Sequence, residues 1–248
     1  MKNILSINAD SKTSKGVKKG FLTGILYLAP SDISGHDVCP MAKHAQCREA
    51  CLYTAGRGKF SNVQKARIHK THRFIYEREY FMIDLEYSIR ALIRKAEREG
   101  LTPLVRLNGT SDIVWENIIF KKYGCNIFEV FPDVQFYDYT KDPERVELPN
   151  YHLTFSYSQA SKARVNHYKQ AIQRGQSIAF PVIASEFEQA CALPDCYSMD
   201  ETDLRFLDNA GKYGILKAKM TENLKEGVKN KFLLSVNDLK KVIELIES

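Results

Sequence analysis

Residues 21–29 read Phe-Leu-Thr-Gly-Ile-Leu-Tyr-Leu-Ala, a near-continuous apolar run of strand length that Pro30 stops. A strand apolar on both faces has to be covered on both, and a parallel sheet with helices packed over it does so. The chain repeats this unit downstream. Strand-like runs at residues 104–108, 134–139, 152–157, 177–183 and 213–218 alternate with helical patterns. The clearest helix sets Phe81, Leu85, Ile89, Leu92, Ile93 and Ala96 on one face and ends at Gly100. Repeated strand–helix units predict an α/β fold: a full or partial (β/α) TIM-type barrel, or alternatively a doubly wound open sheet. The barrel reading takes residues 1–248 as a single domain with residues 219–248 as a C-terminal helical extension. Residues 3–8 read as a short strand, 9–20 as a lysine-rich loop, 113–123 as a helix and 184–212 as irregular and acidic. Ser61 reads as a helix N-cap with Gln64 as its capping-box partner. Ser161 reads as the cap of a later helix, and Ser235 opens a C-terminal one with Leu239, Val242, Ile243 and Ile246 inward.

Directly after the apolar run comes Cys39-Pro-Met-Ala-Lys-His-Ala-Gln-Cys47-Arg-Glu-Ala-Cys51, spaced C-x7-C-x3-C. Three thiols offered from one loop are soft-metal ligands, and Cys39, Cys47 and Cys51 could hold a [4Fe–4S] cluster with one iron open. Zinc, completed by His36 or His44, also fits, although this spacing is not a common zinc pattern. The plain alternative is three small residues, or a disulfide with one thiol left over. Cys191 and Cys196, spaced C-x4-C, and Cys125 read as incidental or buried.

Polar motifs follow the strands. Arg106-Leu-Asn-Gly-Thr-Ser-Asp112 groups an amide, hydroxyls and a carboxylate, with Gly109 allowing a ligand close to the chain. Asp112 could orient a ribose, bind a cation or act as a base; alternatively it or Ser111 caps the next helix. Tyr137-Asp-Tyr-Thr-Lys141 offers Asp138 and Lys141 for proton transfer or phosphate contact, and Ser156 closes the strand after it. Gly56-Arg57-Gly58 could hold an anion, or be a plain turn. Asp200-Glu-Thr-Asp-Leu-Arg-Phe-Leu-Asp208 either completes a pocket rim with Lys217 or closes on itself through an Asp203–Arg205 pair.

The net charge of +6 is compatible with a nucleic-acid partner without demanding one. Lys12, Lys15, Lys18 and Lys19 cluster early; Lys65, Arg67, Lys70 and Arg73, with His69 and His72, follow the cysteine loop. Each cluster is a phosphate-contacting surface or a solvated face. No apolar run reaches the roughly 20 residues that cross a bilayer, and the start shows no signal-peptide core, so a cytoplasmic protein without a membrane partner is expected.

Several motifs together resemble the phage "gene product 88"-type proteins. They are Leu26-Tyr-Leu-Ala-Pro30, Cys-Pro-x6-Cys-x3-Cys-Leu, Ala55-Gly-Arg-Gly58, Val105-Arg-Leu-Asn-Gly-Thr-Ser-Asp112, Phe136-Tyr-Asp-Tyr-Thr140 and the 200–208 segment. The resemblance implies a phage-type origin. The order of strand, three-cysteine loop, helix and strand-end polar motif is similar to the layout of radical S-adenosylmethionine enzymes. That analogy implies a [4Fe–4S] cluster and S-adenosylmethionine as cofactors, though the usual spacing there is C-x3-C-x2-C. A fainter similarity, at Tyr137–Lys141, is to the tRNA-guanine transglycosylase barrel, which implies a strand-end Asp nucleophile and zinc. The expected function is therefore modification of a nucleic-acid base or nucleotide. Asp112 and Asp138 would be catalytic. Asn108, Thr110, Arg57 and Ser156 would bind cofactor, and Lys65, Arg67, Lys70 and Arg73 would meet phosphate. The alternatives are base exchange with zinc, and a metal-stabilised protein that binds nucleic acid or a host protein without turnover.

Overall fold

A computed structural model describes residues 2–7, 11–45, 47–48, 51, 53, 56–158, 162–208, 212–219, 228 and 232–248. Its strands form one mixed sheet in the order β1-β2-β3-β4-β5-β6-β8-β7, and the chain around them gathers into two compact units. The strands are mostly parallel; β1 runs antiparallel to β2. The order has two ends, β1 and β7, and among the described residues no pairing closes it into a barrel.

The first unit comprises Met1–Pro40, Gly56–Asp138 and Val146–His152. It holds β1 (Ser6–Ile7), α1 (Ser11–Val17), β2 (Phe21–Ile25), the single turn α2 (Ser31–Ser34), α3 (Ser61–Tyr76), α4 (Arg78–Glu99), β3 (Thr102–Arg106), α5 (Ile127–Val130), most of β4 (Gln135–Thr140) and the start of β5 (Tyr151–Ser156). The apolar run folds as expected: Leu22, Ile25, Leu26, Leu28 and Ala29 are fully buried. α4 buries Phe81, Leu85, Ile89, Leu92 and Ala96, and Gly100, at φ 65°, ends it with its N–H on the Ala96 and Glu97 carbonyls.

Three expectations change. Residues 11–17 are helical rather than loop; the buried positions Thr13 and Gly16 are too small and polar to register as an apolar period. Ser61 is the first helical residue of α3, not its cap; Phe60 is the N-cap, with no side-chain cap, and Gln64 donates to the Gly58 carbonyl at 3.0 Å. Residues 113–123 form a short 3-10 turn, Trp115–Asn117, followed by a Phe120–Cys125 bridge.

That bridge is lashed to α4 by one carboxylate. Glu86, buried, accepts Lys122 Nζ at 2.8 Å, the Tyr123 hydroxyl at 2.6 Å and Arg90 Nε at 2.9 Å. Burial pushes its carboxyl up, but hydrogen bonds from Lys122, Tyr123 and Arg90 outweigh burial and hold it below the usual range.

The second unit comprises Met41–Ala55, Tyr139–Arg145 and Leu153–Ser248. It holds the rest of β5, α6 (Lys162–Gln173), β6 (Ile178–Val182), α7 (Phe187–Cys191), β7 (Cys196–Ser198), β8 (Tyr213–Lys217) and α8 (Val236–Glu247). The expected cap at Ser161 lies outside the described residues. The 184–212 segment is more regular than expected, since it contributes α7 and β7. Its core joins Tyr157, Tyr168, Phe180, Tyr213 and Ile215 to Leu239, Val242 and Ile246 of α8. Leu234, Val236, Leu239, Val242 and Ile246 of the C-terminal segment belong to this core. Leu234 bridges to Val182, and Ser235 caps α8 by accepting the Asp238 N–H at 3.1 Å. Cys191 and Cys196 pack against the same core. Burial, with Cys191, Asp195 and Glu247 nearby, pushes the Cys196 thiol up to about 11.

Because the folded carboxyl of Glu86 is depressed, its stabilisation is complete above its unfolded value of about 4.3 and fades as pH falls through the folded value. Glu86→Ala is expected to cost about 1–2 kcal/mol at neutral pH, since it removes the acceptor shared by two half-exposed cations and a phenol. Denaturant unfolding at pH 7 and at pH 3 should show the gap between wild type and variant narrowing in acid.

Candidate functional site

Strands β2 and β3 run parallel with Ile25 opposite Arg106, so the segments leaving them emerge side by side at their carboxyl ends. Those two exits are stitched together. Leu26 N–H donates to the Arg106 carbonyl at 2.8 Å, and Gly109 N–H donates back to the Leu26 carbonyl at 3.0 Å. The Thr110 hydroxyl donates to the Leu28 carbonyl at 2.6 Å, and Asp112 N–H to the Val38 carbonyl at 2.8 Å. The Cys39 thiol lies 3.8 Å from the Thr110 carbonyl. The first cysteine and the Asn-Gly-Thr-Ser-Asp turn therefore share one strand end.

Gly109 is required by this stitching rather than by a ligand. A Cβ there would lie 2.7 Å from Ile25 Cγ2 and 2.8 Å from the Leu26 carbonyl oxygen. The β2 exit itself makes the close approach.

Asn108 is the hub of the turn. Its Oδ1 accepts the Ser111 hydroxyl at 2.8 Å, Ile113 N–H at 3.0 Å and Trp115 Nε1–H at 3.1 Å, while its Nδ2 donates to the Ile113 carbonyl at 3.0 Å. The side-chain amide is spent on the turn, which also explains why the expected helix at 113 does not start. Beneath it, Asp138 on β4 is 0% exposed. Its carboxylate accepts Leu107 N–H at 3.1 Å, Asn108 N–H at 3.0 Å and the Tyr151 hydroxyl at 3.1 Å, with Arg106 Nε at 3.7 Å. Such a carboxylate is placed to position the turn. Tyr151 and Trp115 were not foreseen in these roles, although Trp115 is the chain's single tryptophan and lies close to the motif.

The remaining candidates scatter by role. Arg57 is exposed on the 3-10 turn Gly56–Lys59. Cys39, Cys47 and Cys51 are each half-buried and none of the six cysteines is in a disulfide. Among the described residues no three His, Cys, Asp or Glu side chains group closely enough to hold a metal ion. In the second unit Ser156 is taken by a lysine: Lys141 Nζ donates to Ser156 Oγ at 2.8 Å and to the Tyr157 carbonyl at 2.7 Å. Arg205 is buried and pairs with Asp208 at 3.2 Å, with Asp203 also acting on it electrostatically, and Lys217 is exposed beside Phe187.

The sequence matches the family model described as Gene product 88 over residues 3–231. The chain belongs to the Gene product 88 family. No curated protein and no solved structure matches it, and nothing in the comparisons supports the analogy to radical S-adenosylmethionine enzymes. No helix among the described residues is long and apolar enough to cross a membrane.

In this Gene product 88 chain the four cations expected to meet phosphate divide unevenly. Lys65 is exposed. Arg67 is buried over the Tyr27 ring at 4.6 Å. Arg73 pairs with Asp84 at 2.8 Å and Glu77 at 3.2 Å. Lys70 donates to the Ile4 carbonyl at 3.3 Å, and burial, then Arg67, draw its amine down to about 8. Three of the four serve the fold.

Two outcomes follow. Asn108→Ala leaves the Trp115 and Ile113 N–H groups buried without their acceptor, which should cost about 2–5 kcal/mol. A shifted Trp115 emission in the folded variant would report the released ring directly. For Lys70 the folded pKa lies below the unfolded one, so wild-type stability should rise between pH 8 and about 10.4, where the unfolded chain binds more protons. Thermal unfolding of wild type and Lys70→Met across that window should show the wild type gaining on the variant.

Proposed function

We propose that the chain is a phage-type enzyme that modifies a nucleic-acid base or nucleotide, with its reacting groups at the carboxyl ends of β2 and β3. The observation that carries this reading is the seating of Cys39 against Thr110, next to Asp112, where parallel strands end. Active sites of parallel α/β folds, barrel or open, are built at that end of the sheet. Family membership supports the phage part of the reading.

Among the site groups foreseen at this strand end, Cys39 and Asp112 are half-exposed, whereas Asn108 and Asp138 are buried and engaged. We assign Asp112 to proton transfer or to orienting a sugar hydroxyl, and Cys39 to the thiolate chemistry of the site. Asn108 and Asp138 are positioning residues that hold the turn carrying Thr110 and Asp112. If the reaction is base exchange, the nucleophile is Asp112, because Asp138 has no surface to present.

The donor set of three thiols without a disulfide has the chemistry of an iron–sulfur or zinc site. The described residues gather no group of three ligands close enough for a metal ion. When bound, a [4Fe–4S] cluster would supply an electron and an open iron, and S-adenosylmethionine would be its partner; zinc is the alternative.

The test compares nucleosides, by mass spectrometry, from nucleic acid of cells expressing wild type, Cys39→Ala, Asp112→Asn and Asp138→Asn. A nucleoside of altered mass that appears with wild type and disappears with Cys39→Ala and Asp112→Asn is expected. Asp138→Asn turns an amide donor toward one of the two N–H groups, Leu107 or Asn108, so a loss of about 3 kcal/mol of stability is expected there, unlike at Asp112. Identical nucleosides from all four would sink the enzymatic reading in favour of binding alone. Metal and sulfide content of protein prepared without oxygen, against the Cys39/Cys47/Cys51→Ala variant, separates iron–sulfur from zinc.

A further inference from the structure

The sequence pointed to Lys65, Arg67, Lys70 and Arg73 as one basic patch, and the structure turns most of it inward. What α3 leaves outside is a different set. Asn62, Lys65, His69, His72 and Tyr76 recur at steps of three and four residues, which places them along a single face of the helix. All five are exposed, Tyr76 at 71%. α3 contains no Asp or Glu over its 16 residues. The 3-10 turn ahead of it adds exposed Arg57 and Lys59, and Phe60 at the helix start is 52% exposed with Lys59 Nζ 5.8 Å from its ring centroid.

The two ends of this face differ. Cations gather at the N-terminal end, in Arg57, Lys59 and Lys65. Rings gather at the C-terminal end, where His36, His72 and Tyr76 form an edge-to-face group with centroids 5.1–6.2 Å apart. His72 is held in place by its Nε2, 3.1 Å from the Ser34 carbonyl. Among the described residues, Glu77 is paired with Arg73, Asp32 lies in α2, and Asp37 accepts the Cys39 N–H at 2.9 Å. From Phe60 to Tyr76 the face runs about 24 Å.

We propose that this outer face of α3, with the Gly56–Lys59 turn, binds a single-stranded nucleic acid, phosphates toward Arg57, Lys59 and Lys65 and unstacked bases on Phe60 and Tyr76. Charge complementarity selects a polyanion: the face offers cations and no carboxylate of its own. Exposed rings at the two ends of the face, Phe60 and Tyr76, select single strand over duplex, because bases buried in a duplex cannot stack on a protein ring. The proposal rests on the nucleic-acid part of the reading above and not on its chemistry.

The test is fluorescence anisotropy with a labelled single strand of about a dozen thymidines, and with a duplex of the same length, from about 50 to about 200 mM salt. The proteins are wild type, Arg57→Ala/Lys59→Ala/Lys65→Ala, Tyr76→Ala, Tyr76→Phe and Cys39→Ala/Asp112→Asn. Wild type is expected to prefer the single strand. The triple variant should flatten the log–log salt slope by about 2, at roughly 0.7 per phosphate contact. Tyr76→Ala should weaken binding about 5- to 150-fold with the slope kept, as loss of one stacked base does, and Tyr76→Phe should restore it. Cys39→Ala/Asp112→Asn should bind like wild type, and a wild type that binds the single strand while leaving cellular nucleosides unaltered would reject the enzymatic reading and leave this surface standing. Absence of single-strand binding at low salt, equal affinity for duplex, or binding indifferent to both the triple variant and Tyr76→Ala would overturn the proposal. All substituted side chains on the face are exposed, so the far-ultraviolet circular dichroism should match wild type.

Discussion

The carboxylate of Asp138 is the point on which the first unit turns. It has no exposure and is surrounded by donors: two consecutive backbone N–H groups from the end of β3, a phenol and a guanidinium. An ionised group so placed is tolerable only because each donor is in reach. The donors need it equally, for the chain leaving β3 would otherwise bury amide groups with no acceptor. From this fixed point the Asn108 amide organises the next seven residues, and the exit from β2 is drawn alongside.

Much of this was legible in the residues. The apolar run after Gly20 announced a strand covered on both faces, and the period of Phe81, Leu85, Ile89 and Leu92 announced α4 together with its glycine stop. These are signals of repetition, which a sequence carries openly. The location of polar motifs at strand ends was also visible, since each follows its strand directly. What the residues did not disclose is the direction in which a polar side chain turns. Asp138 and Asp112 look alike on paper; one is sealed beneath a turn and the other lies half-exposed, and the difference comes from Tyr151 and Leu107, which are both remote from Asp138 along the chain. Arg67, Lys70 and Arg73 read as a surface because charge usually faces water, yet Tyr27, the Ile4 carbonyl and Asp84 supply each with a partner. Cations on α3 are thus divided between fold and surface by where the helix lies.

The missed helix of α1 and the misplaced one near residue 113 have opposite causes. α1 packs with small polar residues, so its period is invisible to hydropathy. The 113 region has apolar residues at helical spacing, but the Asn108 side chain captures the Ile113 N–H and the Trp115 indole, and a tight turn results. Local side-chain-to-backbone bonds compete with helix formation, and here they prevail.

The close approach at Gly109 has a consequence for how such chains can change over time. With the β3 turn lying against Leu26, and with Leu28 accepting from Thr110, residues 26–28 and 109–110 run along one path. Insertions and deletions are ordinarily absorbed by loops one at a time. Neither exit can lengthen between these contacts without pulling its neighbour out of register. Leu28 and Val38 are ten residues apart while Thr110 and Asp112 are two apart, so the stretch carrying α2 is the first place after β2 where length can vary, while residues 26–28 behave, for an evolving lineage, as an extension of the sheet.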